Sequence, residues 1–255
     1  MTSLLRALYA ELLKTRRTLA LTLVFITPVA IVILSVLNFL RASTFFFGEG
    51  VSAWEWLIRN IFGLWALLLL PLFIALQAAL LANLEHQNGG WKHLFALSET
   101  RWSIYVAKEI IVLLMIGLSH LVLIVGIVVA GSVLQLTNSR SEIVFGTVPW
   151  DKLLLSATVV YMSSWLLVVV HSWIALRWRQ FTLTIGVAIT AVVAGFMAAN
   201  TQQGFFFPWS MPILSIASVF DNQGEGLGMM LLLNVVGLLV ITPLACWNVV
   251  QRDVT

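Results

Sequence analysis

Apolar residues run through this chain in long uninterrupted blocks, and the polar residues fall in short stretches between them. The first block, 19–40, carries no charge for 22 residues. At ~1.5 Å per helical residue it matches a hydrocarbon core about 30 Å thick, so it predicts a membrane-spanning helix. The same criterion predicts further spans at 60–83, 110–137, 153–176, 181–200 and 227–250. From Gln180 to Phe220 there are 41 uncharged residues, too many for one crossing. Gln202, Gln203, Gly204, Pro208 and Pro212 break that run. It therefore reads as the fifth span followed by one or two short re-entrant or interfacial helices over 205–220. The expected class is an all-α polytopic membrane protein with six transmembrane helices.

The polar interruptions differ in kind. Residues 1–18 fit a helix with Leu4, Leu5, Leu8 and Leu12 on one side and Arg6, Lys14 and Arg17 on the other, an amphipathic interfacial helix that also carries Glu11. Residues 41–59 read as a loop whose Trp54 and Trp56 suit a membrane interface. The longest interruption, 84–109, contains a Gly89-Gly90 break and then a short amphipathic piece with Trp91, Leu94, Phe95 and Leu97 mostly on one side. Periodicity alone leaves two readings open: a loop resting at the headgroups, or a lever pressed by a soluble partner.

Composition agrees with the pattern. With 60% hydrophobic and 10% charged residues and a mean hydropathy of +1.00, the chain has too little polar surface to coat a water-soluble globule. The pI near 9.4 reflects topology, not nucleic acid, because lysines and arginines sit singly or in small groups at the ends of apolar runs. Assigning alternate polar stretches to alternate sides places ten Lys or Arg with the two termini, the central stretch and the Arg177–Arg179 turn, against four on the other side. The excess of cations marks the first side as cytoplasmic, while Asp and Glu divide five to six. A single cysteine, Cys246, excludes an internal disulfide and a cysteine-pair metal site. No small-residue cleavage site follows the first apolar run, which is expected to remain as an anchor.

Candidate chemistry is sparse. No Asp, Glu, Lys or Arg falls inside the six predicted spans, which argues against an ion-coupled pump. Gln77, His120 and Asn234 are the polar span residues that a substrate path would use; helix-to-helix hydrogen bonding is the competing role. His120 and His171 are the only candidates for an intramembrane enzyme. Pro28, Pro71 and Pro243 interrupt spans one, two and six, as static kinks or as hinges. A phosphate-binding loop is absent, and Gly89-Gly90-Trp91-Lys92 lacks the spacing of one, so the chain has no ATPase site of its own. No metal site is expected; Glu85-His86 has the reverse of the order a zinc protease helix needs. An ATP-independent channel or secondary carrier is the alternative transport reading.

Three groups of residues, in order, carry a family resemblance. They are Glu11, Lys14, Arg16 and Arg17 before the first span; Glu85, Gly89, Gly90, Trp91, Lys92, Leu97, Arg101, Tyr105 and Lys108 between spans two and three; and Gln251-Arg252-Asp253 after the last. The chain resembles the ABC-2 family of ABC transporter permeases, most of all the small permeases of lantibiotic immunity and of bacteriocin or drug export. The family often has a proline shortly before the arginine of the central stretch; here residues 96–100 have none. The resemblance implies that 84–109 holds a cytoplasmic coupling helix that docks on a separate ABC ATP-binding subunit, through Glu85, Gly89, Gly90, Trp91, Lys92, Leu94, Phe95 and Arg101. It implies that ATP and Mg are bound by that partner and not by this chain. It further implies a second permease subunit, as homodimer or heterodimer, in a bacterial plasma membrane with both termini cytoplasmic. The expected cargo is hydrophobic or amphipathic, an antimicrobial peptide or drug.

Overall fold

The computed structural model describes residues 3–41, 52–87, 100–137, 145–178, 180–221 and 226–251, and these are helical almost throughout. In chain order the helices are α1 (Ser3–Thr15), α2 (Leu19–Arg41), α3 (Ala53–Leu64), α4 (Leu70–Gln87), α5 (Arg101–Thr137), α6 (Trp150–Ser163), α7 (Trp165–Arg177), α8 (Phe181–Ala199), α9 (Met211–Phe220) and α10 (Leu227–Val250). Six stretches are long and apolar enough to cross a bilayer: Leu19–Arg41, Ala53–Leu84, Trp102–Thr137, Trp150–Arg177, Phe181–Ala199 and Leu227–Val249. The second and fourth form the centre, with 61% of their most apolar windows buried against 22% for the fifth and sixth. The outer helices turn most of their surface outward. Their apolar side chains there, such as Leu121 and Val125 on α5, suit lipid.

Several helices begin or bend where hydropathy does not say. Helix α3 starts at Ala53, with Ser52 capping it by accepting from the Glu55 N–H, so Trp54 and Trp56 lie in a helix and not in a loop. Trp54 is wholly buried and meets Phe145 edge-on at 6.0 Å, a packing role in place of the expected interfacial one. Between α3 and α4 the turn widens to a π-helix over Trp65–Leu69, which ends two residues before Pro71. Proline has no N–H to give and crowds the carbonyl four residues back; the wider turn makes room for its ring without ending the helix. The fourth span is broken at Ser164, between α6 and α7.

Helix α5 has 37 residues, about 55 Å at ~1.5 Å each. That exceeds a ~30 Å core, so it projects from it. It begins at Arg101, nine residues before the expected 110, which brings Lys108 and Glu109 into a continuous helix. After α8 a short 3₁₀ turn (Gln202–Phe206) and α9 follow, in the region where short helices were expected. Gly195 admits this segment closely: a Cβ there would stand 2.8 Å from the Trp209 Cβ.

Candidate coupling end of the bundle

The ends of four helices gather at one end of the molecule. Ala78 and Ala82 of α4, Tyr105 of α5, Ala175 and Leu176 of α7 and Ala245 and Cys246 of α10 form one buried cluster. Small alanines let these helices approach, and polar links fasten the rim. Asn248 Oδ1 of α10 accepts from both Trp173 Nε1 (3.3 Å) and Arg177 Nε (3.1 Å) of α7. The opposite end has its own fasteners. Arg59 pairs with Asp221 at 2.9 Å, Lys152 pairs with Glu55 at 2.7 Å, and both cations lie over the Phe220 ring.

Helix α1 packs along the start of α5, and its buried face is Ala7, Glu11 and Thr15. Leu5 and Leu12, expected on a common apolar face, are half exposed. The reason is electrostatic: Glu11 points inward to Lys108 of α5, Nζ to Oε2 at 2.6 Å, with both side chains 3% exposed. Lys14 reaches the other Glu11 oxygen at 2.9 Å. A charge this deep is tolerated only when paired and hydrogen-bonded, so the pair locates α1 on α5. At the start of the interface, Ser3 Oγ lies 3.0 Å from Ser103 Oγ, which is 2.6 Å from Thr100 Oγ1. The next residue on α5, Glu109, is 3% exposed and accepts from Thr242 Oγ1 of α10 at 3.0 Å, one position before the proline in that helix. Lys108 and Glu109 thus tie adjacent positions of α5 to two different helices.

The segment expected to meet a partner springs from this end. Helix α4 ends at Gln87 and α5 begins at Arg101, so Glu85 and Arg101 occupy the two helix ends. Gly89, Gly90, Trp91, Lys92, Leu94 and Phe95 lie outside the described residues. Of the interfacial residues, Glu11 and Lys14 belong to the buried pair system, and Arg17 is exposed at the elbow between α1 and α2.

Of the three polar span residues, Gln77 adjoins this end, one position before Ala78 of the cluster; each of the three bonds the backbone inside the bundle. Gln77 Nε2 donates to the Ala20 carbonyl at 2.9 Å, and its Oε1 has no partner among the described residues. His120 Nδ1 lies 2.9 Å from the Ile116 carbonyl, which can only accept, so this nitrogen carries the proton. Nε2 of His120 has no partner among the described residues, and the ring lies against Phe62, Trp65 and Tyr161. Asn234 serves the break at Ser164: its Oδ1 accepts from the Leu166 N–H at 3.0 Å, while Nδ2 donates to the Met230 carbonyl at 2.9 Å. Asn234→Leu strands that N–H in an apolar interior and should cost about 1–3 kcal/mol, read as a lower thermal midpoint of the purified protein. His171 Nε2 accepts from Trp209 Nε1 at 3.3 Å, which pins the segment before α9 to α7. Among the described residues no group of three His, Cys, Asp or Glu could hold a metal ion.

Pairing of Glu11 with Lys108 escapes a reading of the sequence, although both residues belong to the groups that carry the resemblance. They stand 97 positions apart, and only the packing of α1 on α5 joins them. Thr242 carried a faint signal, a hydroxyl beside a helix proline.

Neither the curated proteins nor the solved structures yield a match to the chain. The family model described as ABC-2 family transporter protein matches residues 7–196, from α1 nearly to the end of α8 and including both sides of the Glu11–Lys108 pair. With six candidate spans and a match over more than half of its length, the chain belongs to the ABC-2 family of transporter proteins and is a multi-pass membrane protein.

Proposed function

We propose that the chain is the permease subunit of an ATP-binding cassette exporter, driven by ATP hydrolysed on a separate subunit that docks on residues 88–99. The observation that carries this reading is the gathering of helix ends around the roots of that segment, where α4 and α5 meet α1, α7 and α10 and are joined by buried polar links. A push on 88–99 is delivered to helices already fastened to one another, and so reaches the bundle as a whole. Trp91 and Phe95 are the anchors, and Lys92 and Arg101 supply the charged rim. The docking end faces the cytoplasm of a bacterial cell, in keeping with its share of lysines and arginines. A second permease completes the transporter. The cargo is hydrophobic or amphipathic, an antimicrobial peptide or a drug, in keeping with apolar spans. Gln77 Oε1 and His120 Nε2, two of the buried polar atoms without a partner among the described residues, are where a cargo contact would form once the helices part.

Replacing Trp91 and Phe95 together by alanine should leave membrane insertion intact, weaken retention of the ATP-binding subunit at least tenfold and abolish cargo-stimulated hydrolysis. Co-purification and hydrolysis in proteoliposomes measure both. Unchanged retention and stimulation in the double variant would refute docking at this segment.

A further inference from the structure

We propose that the elbow between α1 and α2 is a binding site for anionic phospholipid headgroups, with Arg16 and Arg17 as its cations and the exposed face of α1 as its apolar part. Two independent observations meet there. The first is a strained backbone. Arg17 has φ +62°, and it is the one non-glycine residue among those described in the left-handed region. The residue just past a helix end is usually glycine when it takes this conformation, because any Cβ then presses on the carbonyl that follows. Among the described residues nothing rewards an arginine at this place: neither Arg16 nor Arg17 has a side-chain partner there, and both are exposed. The elbow itself is held by other groups. Arg16 N donates to the Leu13 carbonyl at 3.2 Å, Thr18 N donates to the Thr15 carbonyl at 3.3 Å, and Thr18 Oγ1 donates to the same carbonyl at 2.7 Å.

The second observation is the surface beside it. Because Glu11 turns inward to Lys108, α1 shows Leu5, Tyr9, Leu12 and Leu13 outward, at 50, 61, 50 and 42% exposure. An apolar face next to guanidinium groups suits the boundary between acyl chains and phosphates, and water suits it poorly. Position selects the lipid over a soluble occupant: Arg17 stands two residues before Leu19, where a candidate membrane span begins. The chain therefore enters the bilayer at this elbow. A guanidinium matches a phosphate with two parallel N–H donors, and the arginines add an attraction that a zwitterionic headgroup does not return.

This inference needs the membrane setting alone and holds or fails independently of the exporter reading. The test uses the purified full-length protein in bilayer nanodiscs of phosphatidylcholine carrying trace spin-labelled phosphatidylglycerol or phosphatidylcholine, and compares the fraction of each label immobilised. The wild type should prefer the anionic label, and the preference should shrink as salt is raised. Arg16→Gln with Arg17→Gly should lower it by up to about fivefold per arginine, whereas Arg17→Lys should keep most of it. Arg17→Gly alone should leave the thermal midpoint in detergent unchanged or raised, since glycine takes this φ without strain. An anionic preference that survives in the double variant overturns the proposal. So does a fall in stability with Arg17→Gly, which would assign the arginine to the fold. Loss of a co-purified ATP-binding subunit with lipid preference intact would assign the arginines to that partner and overturn it too.

Discussion

Substitution of Glu11 by alanine should release α1 from the bundle. The change leaves Lys108, 3% exposed at its side chain, without the carboxylate it meets at 2.6 Å, and removes one contact of Lys14. Removing one member of a buried ion pair costs about 3–5 kcal/mol, because the remaining charge loses the attraction that offset its desolvation. Here the cheapest relief is for α1 to lift, which opens a path for water to Lys108. Hydrogen exchange over residues 3–15 should therefore rise by two or more orders of magnitude, while exchange in α3, α4, α6 and α7 changes little. Glu11→Leu combined with Lys108→Met should recover most of the protection, since neither charge of the pair then has to be desolvated and the replaced volumes are similar. A double variant no better protected than Glu11→Leu alone would show that the ion pair is not what fastens α1.

Gly131→Ala should be the most disruptive single-methyl addition to the described core. A Cβ at this position of α5 would fall 2.0 Å from Cζ3 and 2.3 Å from Cη2 of Trp54, whose indole is wholly buried between α2, α3 and α5. Neither partner has free space to move into, so the helices must separate or the indole must leave its rotamer, at about 1–3 kcal/mol or more. The helix propensity gained by replacing glycine with alanine, about 0.5–1 kcal/mol, works in the other direction and is too small to win. Gly63→Ala is the matched control: on α3 its Cβ would meet nothing within 4 Å, so the propensity term stands alone and the thermal midpoint should hold or rise. Trimming the indole, Trp54→Leu, in the Gly131→Ala background should restore part of the loss, with a coupling of at least about 1 kcal/mol in the double-mutant cycle.

Both predictions concern the same design. Helix α5 is fastened near its start to α1 and α10 by charge and hydrogen bonds, and toward its other end to α2 and α3 by close packing at Gly126 and Gly131. Its regular hydrogen bonding contrasts with the fourth span, which is broken at Ser164, and with α10, which contains Pro243 one residue after the Thr242 that holds Glu109.

How much of this was legible in the sequence follows from what hydropathy measures. Transfer from water to hydrocarbon is a sum over residues along the chain, so apolar runs such as 19–40 and 227–250 announced spans without any knowledge of neighbours. The ordered polar residues from Glu11 to Lys108 pointed to the family in the same local way. The same sum is blind to where a helix ends, because a helix continues through charges that find partners; α5 therefore starts at Arg101 and not at 110. It is blind to partners as well. Low polarity around Glu11, Asn234 or Trp54 says that each must be satisfied or packed, but Lys108, the Leu166 N–H and the Gly131 gap are distant in sequence and adjacent only after folding. The sequence by itself determined the class, the number of crossings and the family. Which face of α1 turns inward and which helices share a fastening were decided by tertiary packing, since those choices depend on pair distances and not on any residue's own affinity for water.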